Sequence, residues 1–148
     1  MRAVPLDRLE SALSFRVLVV DDDHDAADSL RLLLEWHGFE VEVAYSGSSG
    51  LEAAQAFAPH AILCDLAMPG LDGNAVAREA RRDPCLQQIL LVALSGFAAD
   101  ADRRAALDAG FDLHFGKPVD PAEFPWFLRT YLRRAQSRAR RPAVSASC

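Results

Sequence analysis

Five short apolar segments alternate with helix-like segments along this 148-residue chain, and that alternation constrains its fold more than any other feature. Most of the apolar segments are continuous runs of strand length, which is typical of strands buried on both faces of a parallel sheet. We predict strands over 15–20, 39–45, 61–64, 89–94 and 113–115. Because a helix follows each strand, right-handed crossovers lead to an α/β fold, a doubly wound (βα)5 sandwich around one five-stranded parallel sheet.

The segments between the strands carry helical periodicity and helix-end signals. Helices are predicted over 25–37, from 49 to about 57, from the end of the 68–73 loop to about 82, over 100–109, and from about 121 towards 134. Ser49 and Glu52 have the spacing of a capping box. Gly110 is placed to end the fourth helix in a left-handed conformation, and Pro121 suits the first turn of the last helix.

Charge divides the chain into an acidic body and a basic end. Residues 1–128 carry 10 basic and 21 acidic side chains, whereas residues 129–148 carry six arginines and no acid. Six arginines with a single aromatic residue, Tyr131, among them are typical of a solvated helix face, so nucleic-acid binding is not expected. We predict an N-terminal extension over 1–14, one domain over 15–135 and a basic, disordered tail over 136–148.

Membrane and secreted proteins are excluded as classes by the apolar pattern. The longest apolar runs are far shorter than the roughly 18 residues that a membrane-spanning helix needs. The first residues include Asp7 and Glu10 and contain no continuous apolar segment of the kind a signal peptide requires. A cytoplasmic protein without membrane contact is therefore expected.

Polar side chains gather where the predicted strands end. Asp21 and Asp22 follow the first strand and Asp65 follows the third, while Ser95 and Lys117, the only lysine, follow the fourth and fifth. Parallel strands bring these ends to one edge of the sheet. Two carboxylates about 4 Å apart repel by roughly 4 kcal/mol at an effective dielectric near 20, so the cluster requires a cation. Oxygen ligands favour Mg²⁺, and the set as a whole suits transfer of a phosphoryl group to a carboxylate.

These residues resemble the receiver domain of two-component response regulators over about residues 15–135. The resemblance rests on LVVDDD at 18–23, DLAMPGLDG at 65–73, ALSG at 93–96 and GFDLHFGKP at 110–118. Each segment alone is weak, but their order on successive strand ends is specific. The resemblance implies a flavodoxin-like fold with strand order 2-1-3-4-5, in a single-domain receiver similar to those of hybrid kinases.

The resemblance also implies the chemistry of the site. Asp65 would be the phosphoacceptor, taking a phosphoryl group from a histidine kinase or a histidine phosphotransfer protein. Asp21, Asp22 and Asp65 would bind Mg²⁺ together with the backbone carbonyl of Ala67. Ala67 and Phe97 cannot orient water by hydrogen bonding, so we expect slow loss of the phosphoryl group.

A second group of residues would respond to the phosphoryl group. Ser95 would be the switch hydroxyl that moves to contact it, and Lys117 would pair with it. His114 occupies the switch position on the fifth strand, where Tyr or Phe is common, and either takes part in the switch or lies on the surface. Pro118 would hold the Lys117–Pro118 bond in cis.

The sequence is thus interpreted as a phosphoacceptor that switches its binding to an unidentified downstream protein. It would be no enzyme beyond its own phosphorylation and dephosphorylation at Asp65. Three alternatives stay open: a receiver fragment of a hybrid histidine kinase, a binding module that never takes phosphate, and a Mg²⁺-dependent phosphatase of the haloacid dehalogenase type. That phosphatase would require Asp-x-Asp-x-Thr, and residues 21–25 contain the two acids without the threonine. The oligomeric state is left undetermined.

Overall fold

The computed structural model describes residues 14–96 and 100–139, in which five strands alternate with five helices. The strands are β1 (Arg16–Val20), β2 (Glu40–Ala44), β3 (Ala61–Asp65), β4 (Leu90–Ser95) and β5 (Leu113–Gly116). The helices are α1 (His24–Trp36), α2 (Gly47–Phe57), α3 (Gly73–Arg82), α4 (Asp100–Ala109) and α5 (Phe124–Ala139). Within the described ranges, no helix combines the length and apolar character needed to cross a membrane.

All strand pairs are parallel, and the sheet has the order β2-β1-β3-β4-β5. This confirms the predicted fold class and strand order. The register aligns the strand ends: Val20 pairs with Cys64, and Ser95 pairs with Gly116. The residues that follow the strands therefore meet at the carboxyl edge of the sheet, as the alternating pattern predicts.

The sheet separates two apolar layers. Val17 and Val19 of β1 lie in the layer beneath α1 and α5, whereas Leu18 and Val20 lie in the layer beneath α2, α3 and α4. Because successive strand residues point to opposite faces, a central strand must be apolar throughout, which explains the continuous runs. Each large side chain fully buried in these layers contributes about 1.5–3 kcal/mol to stability.

The second helix begins earlier than its predicted capping box. Ser46, not Ser49, is the N-cap, and Ser49 is its capping-box partner. The Ser46 hydroxyl accepts a hydrogen bond from the Ser49 N–H at 3.1 Å, and the Ser49 hydroxyl accepts one from the Ser46 N–H at 3.2 Å. The predicted Ser49–Glu52 pair is therefore wrong, because the same three-residue spacing already caps the helix one turn earlier.

Both ends of α5 differ from the prediction. The Asp120 carboxylate accepts hydrogen bonds from the N–H groups of Ala122 and Glu123, which forms a turn, and the helix begins at Phe124 instead of near Pro121. The helix also continues to Ala139, so the first four residues of the predicted disordered tail are helical. No proline or glycine interrupts this stretch before position 142. Residues 1–13 and 140–148, where the rest of the extension and tail were predicted, lie outside the described residues.

Candidate functional site

The buried polar side chains of the described ranges all lie at the carboxyl edge of the sheet. They are Asp21, Asp65 and Ser95, with exposed fractions of 4%, 8% and 7%. Each follows or ends a strand of the sheet interior, and the strand pairing holds them in place. The N–H of Asp21 donates to the Ala44 carbonyl at 3.1 Å. Burial of two carboxylates at one edge is costly unless a cation or hydrogen bonds compensate, which marks this edge as a candidate functional site.

The carboxylates form a compact cluster. Asp21, Asp22 and Asp65 each offer a carboxylate oxygen, and these three oxygens lie within 4.8 Å of one another. Backbone N–H groups orient two of the side chains: Asp23 donates to Asp21 Oδ1 at 3.0 Å, and Ala67 donates to Asp65 Oδ1 at 3.4 Å. Asp22 is exposed, so the cluster opens to solvent on that side.

Lys117 provides the positive charge that the cluster requires. Its Nζ lies 2.6 Å from Asp21 Oδ2 and 3.5 Å from Asp65 Oδ1, and 26% of its side chain is exposed. Two backbone features hold the residue at this position: its N–H donates to the Ser95 carbonyl at 2.8 Å, and the Lys117–Pro118 bond is cis, as the resemblance implies. Lys117 thus pairs with the carboxylates at the ends of both β1 and β3.

The electrostatics of Asp65 and Lys117 follow from this packing. Burial raises the pKa of the Asp65 carboxyl, the Lys117 charge opposes that shift, and the Asp21 charge adds to it, so the pKa lies above its usual value. Burial acts to lower the pKa of Lys117, but its hydrogen bond to Asp21 and the charge of Asp65 outweigh it, so this pKa is raised. Lys117 therefore stays protonated, while Asp65 is a more basic carboxylate than an exposed aspartate.

The structure brings Ser95 into contact with His114. The Ser95 Oγ and His114 Nε2 atoms are 2.9 Å apart. Burial and then the Arg103 charge lower the pKa of His114, with Asp102 opposing, so the ring is neutral at pH 7. Of the two interpretations of His114, its contact favours the one that links it to the site. Phe97 lies outside the described residues.

Two features near the site were not predicted from the sequence. A Cβ on Gly73 would lie 2.5 Å from the Asp65 carbonyl oxygen, so only glycine fits there without displacing Asp65. The His24 ring stacks on Tyr45 with centroids 3.8 Å apart, beside the acidic residues that follow β1. The glycine lies within the segment at 65–73 that carries the resemblance, whereas no local pattern signals the aromatic pair.

The donor set fits a hard divalent cation. All three carboxylate ligands offer oxygen, they carry three negative charges against one lysine, and one side of the cluster is open. Mg²⁺ prefers such oxygen ligands and retains several waters, which an open site allows. The residues present are therefore suited to Mg²⁺.

The fold and site define a class of protein, and comparison with known proteins identifies the same class. The response regulator receiver domain family matches residues 17–128, so the chain belongs to this family. Members of the family act as phosphoacceptors in two-component signalling, interact with histidine kinases and effectors, and generally bind Mg²⁺ at an acidic site.

Two curated relatives illustrate how much of the chain is shared. An uncharacterized 14.6 kDa protein in the sodA1 3' region of Leptolyngbya boryana is 35% identical over 123 residues, covering 83% of this chain and 94% of the relative. The response regulator MprA of Mycobacterium ulcerans is 36% identical over 124 residues, covering 84% of this chain and 53% of MprA. The chain thus spans about half the length of MprA.

Solved structures show the same architecture. A CheY-like response regulator receiver domain protein from Methanospirillum hungatei matches with a TM-score of 0.78 and 26% identity, over 84% of this chain and 98% of that one. The receiver domain of the sensor histidine kinase PA1611 from Pseudomonas aeruginosa matches with a TM-score of 0.72 and 27% identity, over 84% and 98%. The latter structure has a magnesium ion coordinated in its active site cleft.

Proposed function

We propose that Asp65 of this chain accepts a phosphoryl group from a phosphohistidine on a histidine kinase or histidine phosphotransfer protein. The observation that carries the proposal is the position of its carboxylate, 3.5 Å from Lys117 Nζ and inside the cluster formed with Asp21 and Asp22. This carboxylate is buried, oriented by the Ala67 N–H, and more basic than usual. These properties suit a nucleophile.

In the transfer, an Asp65 oxygen attacks phosphorus, an O–P bond forms, and the N–P bond to the donor histidine breaks with its electron pair passing to the imidazole nitrogen. Negative charge on the phosphoryl oxygens must be stabilised while this happens. Lys117 supplies one positive charge at the site, and the Ser95 hydroxyl supplies a hydrogen-bond donor. Both groups belong to neighbouring strand ends, so the sheet itself positions them.

Mg²⁺ belongs to the same proposal. Asp21, Asp22, Asp65 and the backbone carbonyl of Ala67 would hold the ion, which when bound neutralises charge on the phosphoryl oxygens. Among the described residues, Lys117 is the cation that pairs with the two buried carboxylates, Asp21 and Asp65. Burial raises the pKa of the Asp65 carboxyl, and the Asp21 charge adds to that shift.

The phosphorylated domain would act by changing its binding to a downstream protein in the cytoplasm. The chain would have no catalytic activity apart from its own phosphorylation and dephosphorylation at Asp65. The phosphatase alternative is not favoured, since the chain belongs to the receiver family. Ala67 cannot orient water through its side chain, which supports slow loss of the phosphoryl group.

The proposal is tested by incubating the protein with Mg²⁺ and acetyl phosphate and measuring its intact mass. We expect a gain of one phosphoryl group in the wild type and none in Asp65→Asn. Asp108→Asn is the matched control, because it neutralises an exposed carboxylate on α4 and should leave the gain unchanged. A gain that survives Asp65→Asn, or the absence of any gain in the wild type, would contradict the proposal, and steady turnover of a phosphate ester would support the phosphatase.

Mg²⁺ binding can be tested apart from phosphorylation. A ligand that binds only the folded state raises stability by RT ln(1 + [L]/Kd), or about 2.7 kcal/mol at one hundred times Kd. Mg²⁺ should therefore raise the melting temperature of the wild type and of Asp108→Asn, and do so far less in Asp22→Asn. An equal rise in all three proteins would show that the ion binds elsewhere.

A further inference from the structure

Cys85 lies on the turn between α3 and β4, at the amino edge of the sheet where the strands begin, and it is exposed. Asp83 closes this turn: its carboxylate accepts the Cys85 N–H at 2.8 Å, and its carbonyl accepts the N–H groups of Leu86 and Gln87 at 2.9 Å. The Gln55 amide donates to the other Asp83 carboxylate oxygen, and the Leu86 side chain is buried. Cys85 is therefore presented to solvent by a turn that hydrogen bonds and packing hold in place.

The cysteines of the chain differ in state. Cys64 is a free thiol, and burial raises its pKa, so it is protected from oxidation. Cys85 is disulfide-bonded. The sequence contains three cysteines, so Cys148 is the partner that one chain offers to Cys85. Cys148 lies outside the described residues, and its access to Cys85 is argued from the position of the helix that precedes it.

The end of α5 lies beside the Cys85 turn. Arg138 of α5 lines a cavity of about 760 Å³ together with Gln87 and Gln88, and we call this cavity the amino-edge groove. Cys148 follows Arg138 by ten residues, and a segment of that length spans up to about 35 Å when extended. The opposite walls of a cavity of this volume are much closer than that, so Cys148 can reach Cys85 without any movement of α5.

The surface of the amino-edge groove suits the segment that leads to Cys148. Its walls include Leu107, Leu113 and Tyr131, and 50% of Leu107 is exposed. Residues 142–148 have the sequence PAVSASC, in which the side chains are small and carry no charge. A cross-link to Cys85 would lay this segment over exposed apolar surface, which is favourable.

We propose that Cys85 is a redox modification site: its disulfide with Cys148 forms and breaks reversibly, and the oxidised form holds residues 140–148 across the amino-edge groove. In the cytoplasm, where this protein is expected, disulfides are usually transient or redox-sensing, and exposed disulfides are the labile ones. Reduction would uncover the groove. The inference does not depend on phosphorylation, because Cys85 and Asp65 lie at opposite edges of the sheet.

Glutathione disulfide is a sufficient oxidant for this step. The Cys85 thiolate attacks one of its sulfurs, a mixed disulfide forms, and one glutathione thiolate leaves. The Cys148 thiolate then attacks the Cys85 sulfur, the protein disulfide forms, and the second glutathione thiolate leaves. Two protein thiols are thus oxidised, and one glutathione disulfide is reduced to two thiols, which take up the two protons that the protein thiols release.

The cross-link is tested by equilibrating the full chain in glutathione buffers, quenching with acid and measuring the intact mass. Oxidised wild type should lose two hydrogens and carry no glutathione. Cys85→Ser and Cys148→Ser should instead each gain one glutathione on the remaining thiol of the pair. Cys64→Ala is the control and should behave as the wild type. A glutathione adduct on the wild type in place of the cross-link, or a dimer joined through Cys85, would overturn the inference.

Peptide mapping identifies the pair directly. Trypsin cleaves after Arg82, Arg103 and Arg140, so the oxidised wild type should yield residues 83–103 linked to residues 141–148. Excess reduced glutathione should separate the two peptides. Their release without any reductant would overturn the pairing, and a link that resists excess reduced glutathione would overturn its reversibility.

Coverage of the amino-edge groove is tested by NMR on the same samples. Oxidation of the wild type should shift the resonances of Leu107, Leu113 and Tyr131, and reduction should reverse these shifts. In Cys148→Ser, the glutathione adduct on Cys85 should shift only the surrounding turn, which makes this variant the matched control. Shifts confined to the turn in the oxidised wild type would show that the segment does not cover the groove and would overturn that part of the inference.

Discussion

The two edges of the sheet use charged side chains in opposite ways. At the amino edge, cations bind backbone carbonyls: Arg16 donates to the Ala58 carbonyl from Nε at 2.9 Å and from Nη2 at 2.7 Å. At the carboxyl edge, the carboxylates of Asp21 and Asp65 lie beside each other and share Lys117. The contacts of the amino edge therefore stabilise the fold, whereas the carboxyl edge retains net negative charge that a bound cation would offset.

Arg81 shows how completely the amino edge is satisfied. Its guanidinium donates to the carbonyls of Gly110, Gln87 and Ile89, each at 2.8 Å, and to Asp112 Oδ2 at 2.8 Å. These bonds join the end of α3 to the segments that lead into β4 and β5. No comparable set of donors surrounds the described carboxylates at the opposite edge.

The largest effect on stability is expected at the amino edge. Arg81→Ala should lower the free energy of unfolding by about 3 kcal/mol, because it leaves the partly buried carbonyls of Gly110 and Ile89 without this donor and removes the ion pair with Asp112. Arg82→Ala is the matched control: its contact is an exposed pair with Glu79, worth about 0.5 kcal/mol or less. Urea unfolding measures both variants, and similar losses would contradict the structural role given to Arg81. Phosphorylation of the folded fraction should be unaffected.

A smaller loss is expected from a close backbone contact at the carboxyl edge. Gly73→Ala would place a Cβ 2.5 Å from the Asp65 carbonyl oxygen and 2.8 Å from Leu66 Cα. The resulting strain should cost about 2 kcal/mol and displace Asp65, so acetyl phosphate labelling should also fall. Gly96→Ala meets no atom of the described residues within 4 Å and serves as the control. Equal stability of the two variants would show that the segment around Gly73 yields without strain.

Replacement of Lys117, which pairs with both buried carboxylates, should lower the free energy of unfolding by less than Gly73→Ala does. Lys117→Met leaves Asp21 and Asp65 without their ion-pair partner, but the open side of the cluster admits water and counterions. We expect a loss of about 1 kcal/mol at pH 7 that shrinks as the pH falls and Asp65 takes up a proton. Mg²⁺ should restore part of the loss, whereas phosphorylation should remain slow. Thermal unfolding at several pH values measures this loss of stability. A loss that does not change with pH would indicate that Lys117 stabilises the fold through packing of its aliphatic chain.

The smallest expected change in stability is that of Asp65→Asn, which should raise the free energy of unfolding. The pKa of Asp65 is raised in the folded state, so its ionised form disfavours folding above that raised pKa, and the penalty disappears as the pH falls towards the ordinary value. Asp65→Asn should therefore stabilise the protein slightly at pH 7 and have no such effect near pH 4. Melting curves at both values test this, with Asp108→Asn as control. Destabilisation at pH 7 would mean that the carboxylate contributes net stability without any ligand.

The sequence predicts those residues of the site that lie at the ends of strands. Asp21, Asp65 and Ser95 could be found because parallel strands place their carboxyl ends together, whatever the details of packing. The pairing of Lys117 with Asp21 joins residues 96 positions apart, and the strand order brings them together. By contrast, the sequence offers two possible caps for α2, at Ser46 and at Ser49, and two possible starts for α5, near Pro121 and at Phe124. Residue spacing alone does not decide between them.

The sequence by itself determined the alternation of strands and helices, the parallel sheet, and the identity of the acidic residues and lysine at its carboxyl edge. These follow from hydrophobic period and chain order, which are local properties. The tertiary structure alone decided the network of Arg81, the close approach of Gly73 to Asp65, and the contact between Ser95 and His114. Those depend on distances between side chains brought together by the fold, and a hydrogen bond exists only within a few tenths of an ångström of its optimum.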